Sequence, residues 1–205
     1  MKKIKISQKW INYSLVCGLL CAIFMSLSNF NTACDDLRAN VLRLHIIANS
    51  DSYEDQQLKL KIRDRILEES GELFSRSQTV DDAIVTANGS IEKIETLANE
   101  VIKENNFNYK AVASVKDSYF ETREYDTFTL PAGTYKSLVI DLGKSEGKNW
   151  WCVIFPEICL PAASKAELSD TVSENSAQIA ENKGNYVMRF KIVEVYEDIK
   201  KALSN

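Results

Sequence analysis

The order of apolar and polar positions predicts a strand, a turn and a helix within one short stretch. Residues 42–48 are mostly apolar, include two adjacent isoleucines and hold the single histidine, His45. Such a run is typical of a buried strand. Residues 49–52 are all Asn, Ser or Asp, whose side chains accept backbone N–H groups in turns. Apolar residues then recur at every fourth position from Leu58, which indicates a helix beginning near Ser52.

The same patterns along the rest of the chain predict one α+β domain. The first helix runs from 52 to about 70, and a second runs from 79 to about 105 with a kink expected at Gly89. The other predicted elements are strands at 109–116, 119–128, 135–142, 149–155 and 186–192, and a short closing helix at 193–203. The expected fold is an antiparallel sheet of about five strands, with two long helices on one face, in β-α-α-β-β-β order.

The first 28 residues differ in composition from everything that follows. Four lysines precede residues 11–27, which carry no charge, and a basic segment before an apolar one is typical of export signals. The apolar run is also just long enough to span a bilayer. A cleaved signal peptide and a retained membrane anchor are therefore alternative interpretations of this segment. Residues 29–40 are predicted to be a linker and 41–205 the single domain, with a mobile loop at 161–185 that holds at most a short helix.

The charge balance disfavours two classes of partner. The chain has 25 Lys or Arg and 29 Asp or Glu residues, and four of the lysines lie in the first 28 positions, which leaves a formal charge of −8 for the remainder. Nucleic acids and anionic lipid headgroups bind clustered cations. We therefore expect no nucleic-acid binding, and membrane contact only through the N-terminal segment.

The cysteines suggest a disulfide and no metal site. Cys152 and Cys159 lie seven positions apart in the part of the chain that would be exported, where disulfides persist. A disulfide between them and a pair of buried thiols remain alternatives. No C-x-x-C pair is present, and one histidine leaves too few nitrogen and sulfur ligands for zinc. Neither a metal nor any other cofactor is expected.

Two features have both a functional and a structural explanation. His45 with Asp51 would suit an extracytoplasmic hydrolase acting on peptide or cell wall, but a histidine within an apolar strand is more often a core residue. The adjacent pair Trp150 and Trp151 must point to opposite sides of a strand. The tryptophan that faces away from the core is either an anchor for a protein partner or covered by another helix.

Three segments resemble the stage II sporulation protein R family of endospore-forming bacteria. They read R-L-H-I-I-A-N-S-D-S-Y-E-D-Q-Q-L-K-L-K-I-R-D at 43–64, L-P-A-G-T-Y-K-S-L at 130–138 and G-K-N-W-W-C-V-I-F-P-E-I-C at 147–159. The family typically has F-P-P-L-C where this chain has F-P-E-I-C, so Glu157 replaces a proline while the cysteine spacing is kept.

The resemblance implies a signalling ligand and not an enzyme. Members of the family are exported toward the space between forespore and mother cell, where they activate a membrane-embedded aspartic protease that cleaves pro-sigma-E. No catalytic residues and no small-molecule substrate are expected. The residues that we predict to contact the protease are Asn49, Ser50, Asp51, Asp55, Trp150, Trp151, Phe155 and Pro156.

Overall fold

A computed structural model describes residues 8–125, 128–156, 168, 171–181 and 183–203, apart from the side chains of 70–72 and 183–185. The elements, in chain order, are α1 (Gln8–Ala39), β1 (Leu42–Ile47), α2 (Tyr53–Phe74), α3 (Val80–Gly89), α4 (Ile91–Glu104), β2 (Ala111–Phe120), β3 (Arg123–Glu124), β4 (Thr129–Leu130), β5 (Gly133–Leu142), β6 (Asn149–Phe155), α5 (Glu174–Glu181) and α6 (Lys183–Leu203). The fold is α+β, as the sequence predicts.

Four strands form one mixed sheet in the order β2-β5-β1-β6. β1 lies between β5, to which it is parallel, and β6, to which it is antiparallel. The short strands β3 and β4 pair separately. The prediction of about five antiparallel strands is therefore wrong in both number and direction. The chain between β1 and β5 contains three helices, and a parallel pair requires a long crossover of this kind.

The central strand β1 divides its side chains between two cores. Leu42, Leu44 and Ile46 are fully buried in the core formed with α2, α3 and α4. Each of these side chains stabilises the fold by about 1.5–3 kcal/mol. Arg43 and His45 point to the opposite side of the sheet, because successive side chains of a strand alternate. A second core lies on that side.

Three helices, rather than the expected two, cover the first face of the sheet. Ser52 caps α2 by accepting a hydrogen bond from the backbone N–H of Asp55, so the predicted start of this helix is confirmed. The predicted second helix is divided at Ser90 into α3 and α4, directly after Gly89. The kink expected at this glycine is thus a complete break between two helices.

The C-terminal region differs most from the sequence prediction. Residues 183–203, for which a strand at 186–192 and a short helix are predicted, form the single helix α6 of 21 residues. The predicted strand at 119–128 is also wrong, because β2 ends at Phe120 and the next strand is only Arg123–Glu124. Part of the predicted loop at 161–185, namely residues 161–167, 169, 170 and 182, lies outside the described residues, and α5 is a short helix within it.

The N-terminal helix α1 continues into the domain. Its 32 residues include all but the last position of the predicted linker at 29–40, and its last turns bury Phe30, Ala33, Cys34 and Leu37. Leu37 belongs to the second core, and the other three side chains form a third cluster with α5 and α6. Among the described helices, α1 alone is long and apolar enough to cross a membrane. Residues 29–39 are therefore structural and do not form a polar connector.

Candidate functional site

The turn after β1 is organised around the carboxylate of Asp55, which is only 5% exposed. One oxygen of this carboxylate accepts hydrogen bonds from Asn49 Nδ2 at 2.8 Å and from Ser50 Oγ at 2.5 Å. The other oxygen accepts one from the hydroxyl of Tyr109 at 2.7 Å. Burial raises the pKa of Asp55, but these hydrogen bonds outweigh it and hold the pKa below its ordinary value. The carboxylate is therefore a fixed structural anion.

The loop between β5 and β6 is bonded to the same turn. Asn49 Oδ1 accepts a hydrogen bond from the backbone N–H of Lys144 at 3.0 Å, and Asp51 Oδ1 accepts one from the backbone N–H of Lys148 at 2.7 Å. The backbone N–H of Gly147 donates to the carbonyl of Ala48 at 2.9 Å. Turn and loop therefore form one rigid unit at the end of β1, which we call the turn platform (residues 49–55 and 143–148).

The turn platform exposes fewer of the predicted contact residues than the sequence suggests. The side chains of Asn49, Ser50 and Asp55 are directed to one another. The exposed part of the turn is residues 51–54, in which Tyr53 is 74% exposed. Tyr53 lies within this stretch but was not singled out from the sequence, although an aromatic residue inside a polar turn was a visible signal. The contact role of Asn49, Ser50, Asp51 and Asp55 stays a prediction.

Gly147 is required where the loop approaches the turn. A Cβ at this position would overlap the backbone carbonyl of Ser50, whereas a Cβ on Gly89 would meet nothing within 4 Å. We expect Gly147→Ala to lower the free energy of unfolding by about 2 kcal/mol and Gly89→Ala to raise it by about 0.5–1 kcal/mol. Urea unfolding of the two variants tests this, and equal effects would show that the close approach does not matter.

The two tryptophans lie on opposite faces of β6, as the sequence predicts, and both are partly covered. Trp150 packs against the first core, with the guanidinium of Arg63 5.0 Å from its ring centroid. Trp151 packs against the second core, with the guanidinium of Arg123 at 5.2 Å. Phe155 and Pro156 are buried, which leaves little of their surface for a partner. A contact role for these four residues stays a prediction.

A cluster of buried polar groups lies under Trp151. Arg43 is 0% exposed, and its guanidinium lies 3.9 Å from the ring centroid of Phe120 and 4.9 Å from that of Tyr135. Its Nη2 donates a hydrogen bond to the hydroxyl of Tyr125 at 2.9 Å. Within the part of the chain that the structure describes, its Nε and Nη1 have no hydrogen-bond partner, and neither does Trp151 Nε1.

Sequence reasoning missed this cluster, which we call the Arg43 cluster (Arg43, His45, Phe120, Tyr135 and Trp151). The alternation of β1 placed Arg43 on the face opposite the first core, and a polar residue at such a position usually indicates a solvated face. The second core covers this face with Leu37, Phe128 and residues of α5. Phe128 and α5 lie far from β1 in sequence, so their contribution to this burial could not be predicted from a local pattern.

His45 belongs to the same cluster and does not form the predicted dyad with Asp51. Its ring lies 5.6 Å from Phe120 and 6.0 Å from Trp151, between centroids. Neither ring nitrogen makes a hydrogen bond of acceptable geometry among the described residues, and Asp51 instead accepts from Lys148. Burial lowers the pKa of His45, although the nearby side chain of Asn149 opposes the effect. The imidazole is therefore neutral at neutral pH, and no carboxylate among the described residues is hydrogen-bonded to it.

The described residues contain no group of three or more His, Cys, Asp or Glu side chains that could hold a metal ion. Cys152 is buried at 3% exposure. Cys159 lies outside the described residues, so its disulfide with Cys152 stays a prediction.

Comparison with known proteins places these features in a family. The family model described as "Stage II sporulation protein R" matches residues 38–165, a range that holds the turn platform and the Arg43 cluster. A protein of that name from Bacillus subtilis (strain 168) is 34% identical over 126 residues, which are 62% of this chain and 56% of the relative. The match thus covers little more than half of that relative's length. No solved structure is significantly similar. The chain belongs to the stage II sporulation protein R family.

Proposed function

We propose that the chain is an exported sporulation signal that activates a membrane-embedded aspartic protease, which then cleaves pro-sigma-E in the mother cell. The observation that supports this proposal most strongly is membership of the stage II sporulation protein R family across residues 38–165. The N-terminal helix α1, which has the length and composition of an export signal or anchor, fits a location outside the cytoplasm. In that oxidising location Cys152 and Cys159 would form a disulfide.

Activation requires that the ligand binds the active state of the protease more tightly than the inactive state, since only this difference shifts the equilibrium. A rigid contact surface raises the affinity for the state whose shape it matches, because little conformational entropy is lost on binding. The turn platform has this property. Its hydrogen bonds join β1, α2 and the β5–β6 loop, and its exposed residues 51–54 are held on a fixed backbone. We propose that these residues contact the protease.

The test is reconstitution of the full chain with the membrane protease and its pro-sigma substrate in vesicles. We expect cleavage of the substrate only when the chain is present on the extracytoplasmic side. Cleavage at the same rate without the chain would contradict the proposal. Hydrolysis of peptide or cell wall by the chain alone would support the hydrolase alternative instead.

A matched pair of variants tests the contact surface in the same assay. Tyr53 on the turn platform and Val85 on α3 are similarly exposed, at 74% and 71%. If Tyr53 anchors the interface, Tyr53→Ala should lower the cleavage rate about tenfold at limiting ligand, which corresponds to about 1.4 kcal/mol of binding energy. Val85→Ala should leave the rate unchanged. Equal rates for both variants would exclude this part of the turn as the contact.

A further inference from the structure

The C-terminal helix α6 has apolar side chains on two opposite faces. One face places Phe190 and Val193 against Phe30 and Ala33 of α1. A helix on the surface of a globular domain normally has a single apolar stripe, which is directed to the core. The opposite face of α6 should therefore be polar if it only meets water.

The opposite face is apolar along almost the whole helix. Met188, Ile192, Val195, Ile199 and Leu203 follow one another at intervals of four, three, four and four positions and are between 50% and 83% exposed. This spacing keeps them within one sector of the helix, over a length of about 22 Å. We call this surface the outer stripe. A continuous exposed apolar surface of this kind marks an interaction site.

The outer stripe continues into the membrane-length part of α1. A groove of about 450 Å³ separates the two helices, and it is lined by Phe24 and Leu27 from α1 and by Ile192 and Tyr196 from α6. Phe24 is 74% exposed and lies within the uncharged run 11–27 of α1, the helix that could cross a membrane. The outer stripe is therefore part of a larger apolar surface whose other part has the properties of a lipid-facing helix.

The two helices are fixed to each other by aromatic contacts. Phe30 stacks on Tyr186 at 5.7 Å between ring centroids and meets Phe190 edge-on at 5.2 Å. α1 is unbroken from Gln8 to Ala39, so the same helix that enters the apolar region is built into the domain. If α1 is in a bilayer, α6 is held at the point where α1 leaves it.

We propose that the outer stripe of α6 rests on the lipid bilayer that α1 enters. The domain then has two membrane contacts, one spanning and one on the surface. Amphipathic helices bind at such interfaces by burying their apolar face among the lipids. Because the contact is apolar, it does not require anionic headgroups, which agrees with the acidic charge of the domain. This inference goes beyond the proposed function and holds whether or not the chain activates a protease.

The test is photo-crosslinking of the full chain, made by cell-free synthesis in the presence of pure phosphatidylcholine vesicles. Benzoylphenylalanine is placed at position 192 or 199 in the outer stripe, at position 85 on α3 as a control that is even more exposed, and at position 20 in α1 as a positive control. We expect lipid adducts at 20, 192 and 199 and none at 85. Introducing Ile199→Glu into the chain labelled at 192 should lower its lipid adduct about tenfold.

Three outcomes would overturn the proposal. Lipid adducts at position 20 without any at 192 and 199 would show that α6 does not reach the bilayer. Adducts between two copies of the chain would identify the outer stripe as a dimer interface. If the protease is added to the vesicles and the adducts at 192 and 199 form with it instead of lipid, the outer stripe is a surface for the receptor.

Discussion

Replacing Asp55 with alanine is expected to lower the free energy of unfolding by about 3 kcal/mol, because three donors would lose a charged acceptor at once. These donors belong to Asn49, Ser50 and Tyr109, and the site is almost completely buried. Asp55→Asn preserves the shape of the side chain but removes the charge, so we expect a smaller loss. Urea unfolding at pH 7 measures both, and an unchanged stability in Asp55→Ala would show that the carboxylate does not hold the turn platform together.

The pH dependence gives an independent check of the same carboxylate. The pKa of Asp55 is lower in the folded protein than its ordinary value of 3.8. Its contribution to stability is therefore present above that value and is lost as the pH falls through the folded pKa. Asp36 and Asp82 also have lowered pKa values. Because both residues are present in the wild type and in Asp55→Asn, their contributions cancel when the two stabilities are subtracted. The difference in the free energy of unfolding between the wild type and Asp55→Asn should shrink below about pH 4. A constant difference would contradict the lowered pKa.

The second large effect is expected at Arg43, with opposite signs for two substitutions. Arg43→Ala removes the stem that fills the space beside Phe120 and Tyr135, and the resulting cavity should lower stability by about 3 kcal/mol. Arg43→Met keeps most of this volume and removes a buried charge that has no carboxylate partner among the described residues. Replacement of a buried charge by an apolar group of similar volume is often stabilising, and we expect a gain of about 1 kcal/mol.

Thermal unfolding of both Arg43 variants tests these signs. A loss above about 2 kcal/mol in Arg43→Met would mean that the guanidinium has a strong acceptor in the folded protein. The protease reconstitution then separates structure from function. A stable Arg43→Met chain that no longer activates the protease would give the buried cation a role in signalling, whereas full activity would limit it to packing.

Local patterns predicted those parts of the fold that depend on neighbours in sequence. The strand β1 and the cap of α2 at Ser52 were correct because they depend on residues within a few positions. The parallel pairing of β1 with β5 was missed, since Leu42 pairs with Lys136 and no local signal joins them. The turn after β1 was recognised for the same reason as the cap. The hydrogen bonds that Tyr109 and the β5–β6 loop make to this turn were not predicted, because both segments are distant in sequence.

The wrong strand in α6 has a specific physical cause. Tyr186 and Phe190 face α1, while Met188 and Ile192 face outward. Each pair has the four-residue spacing of a helix, but the two pairs are offset by two positions. Together they produce apolar residues at every second position, which is the pattern of a strand. The helix was therefore hidden by its second apolar face, which is the same feature that suggests a contact with lipid.

The central position of β1 has a consequence for the order in which the protein folds. β1 is the first strand in the chain, but both of its neighbours in the sheet come much later, and β6 ends at Phe155. A chain that crosses the membrane from its N-terminus presents β1 long before β5 and β6 arrive. The helices α2 to α4 can form early from local contacts, while the sheet must wait for distant partners. If the chain is exported as we propose, the sheet would be completed only after most of the chain has crossed the membrane.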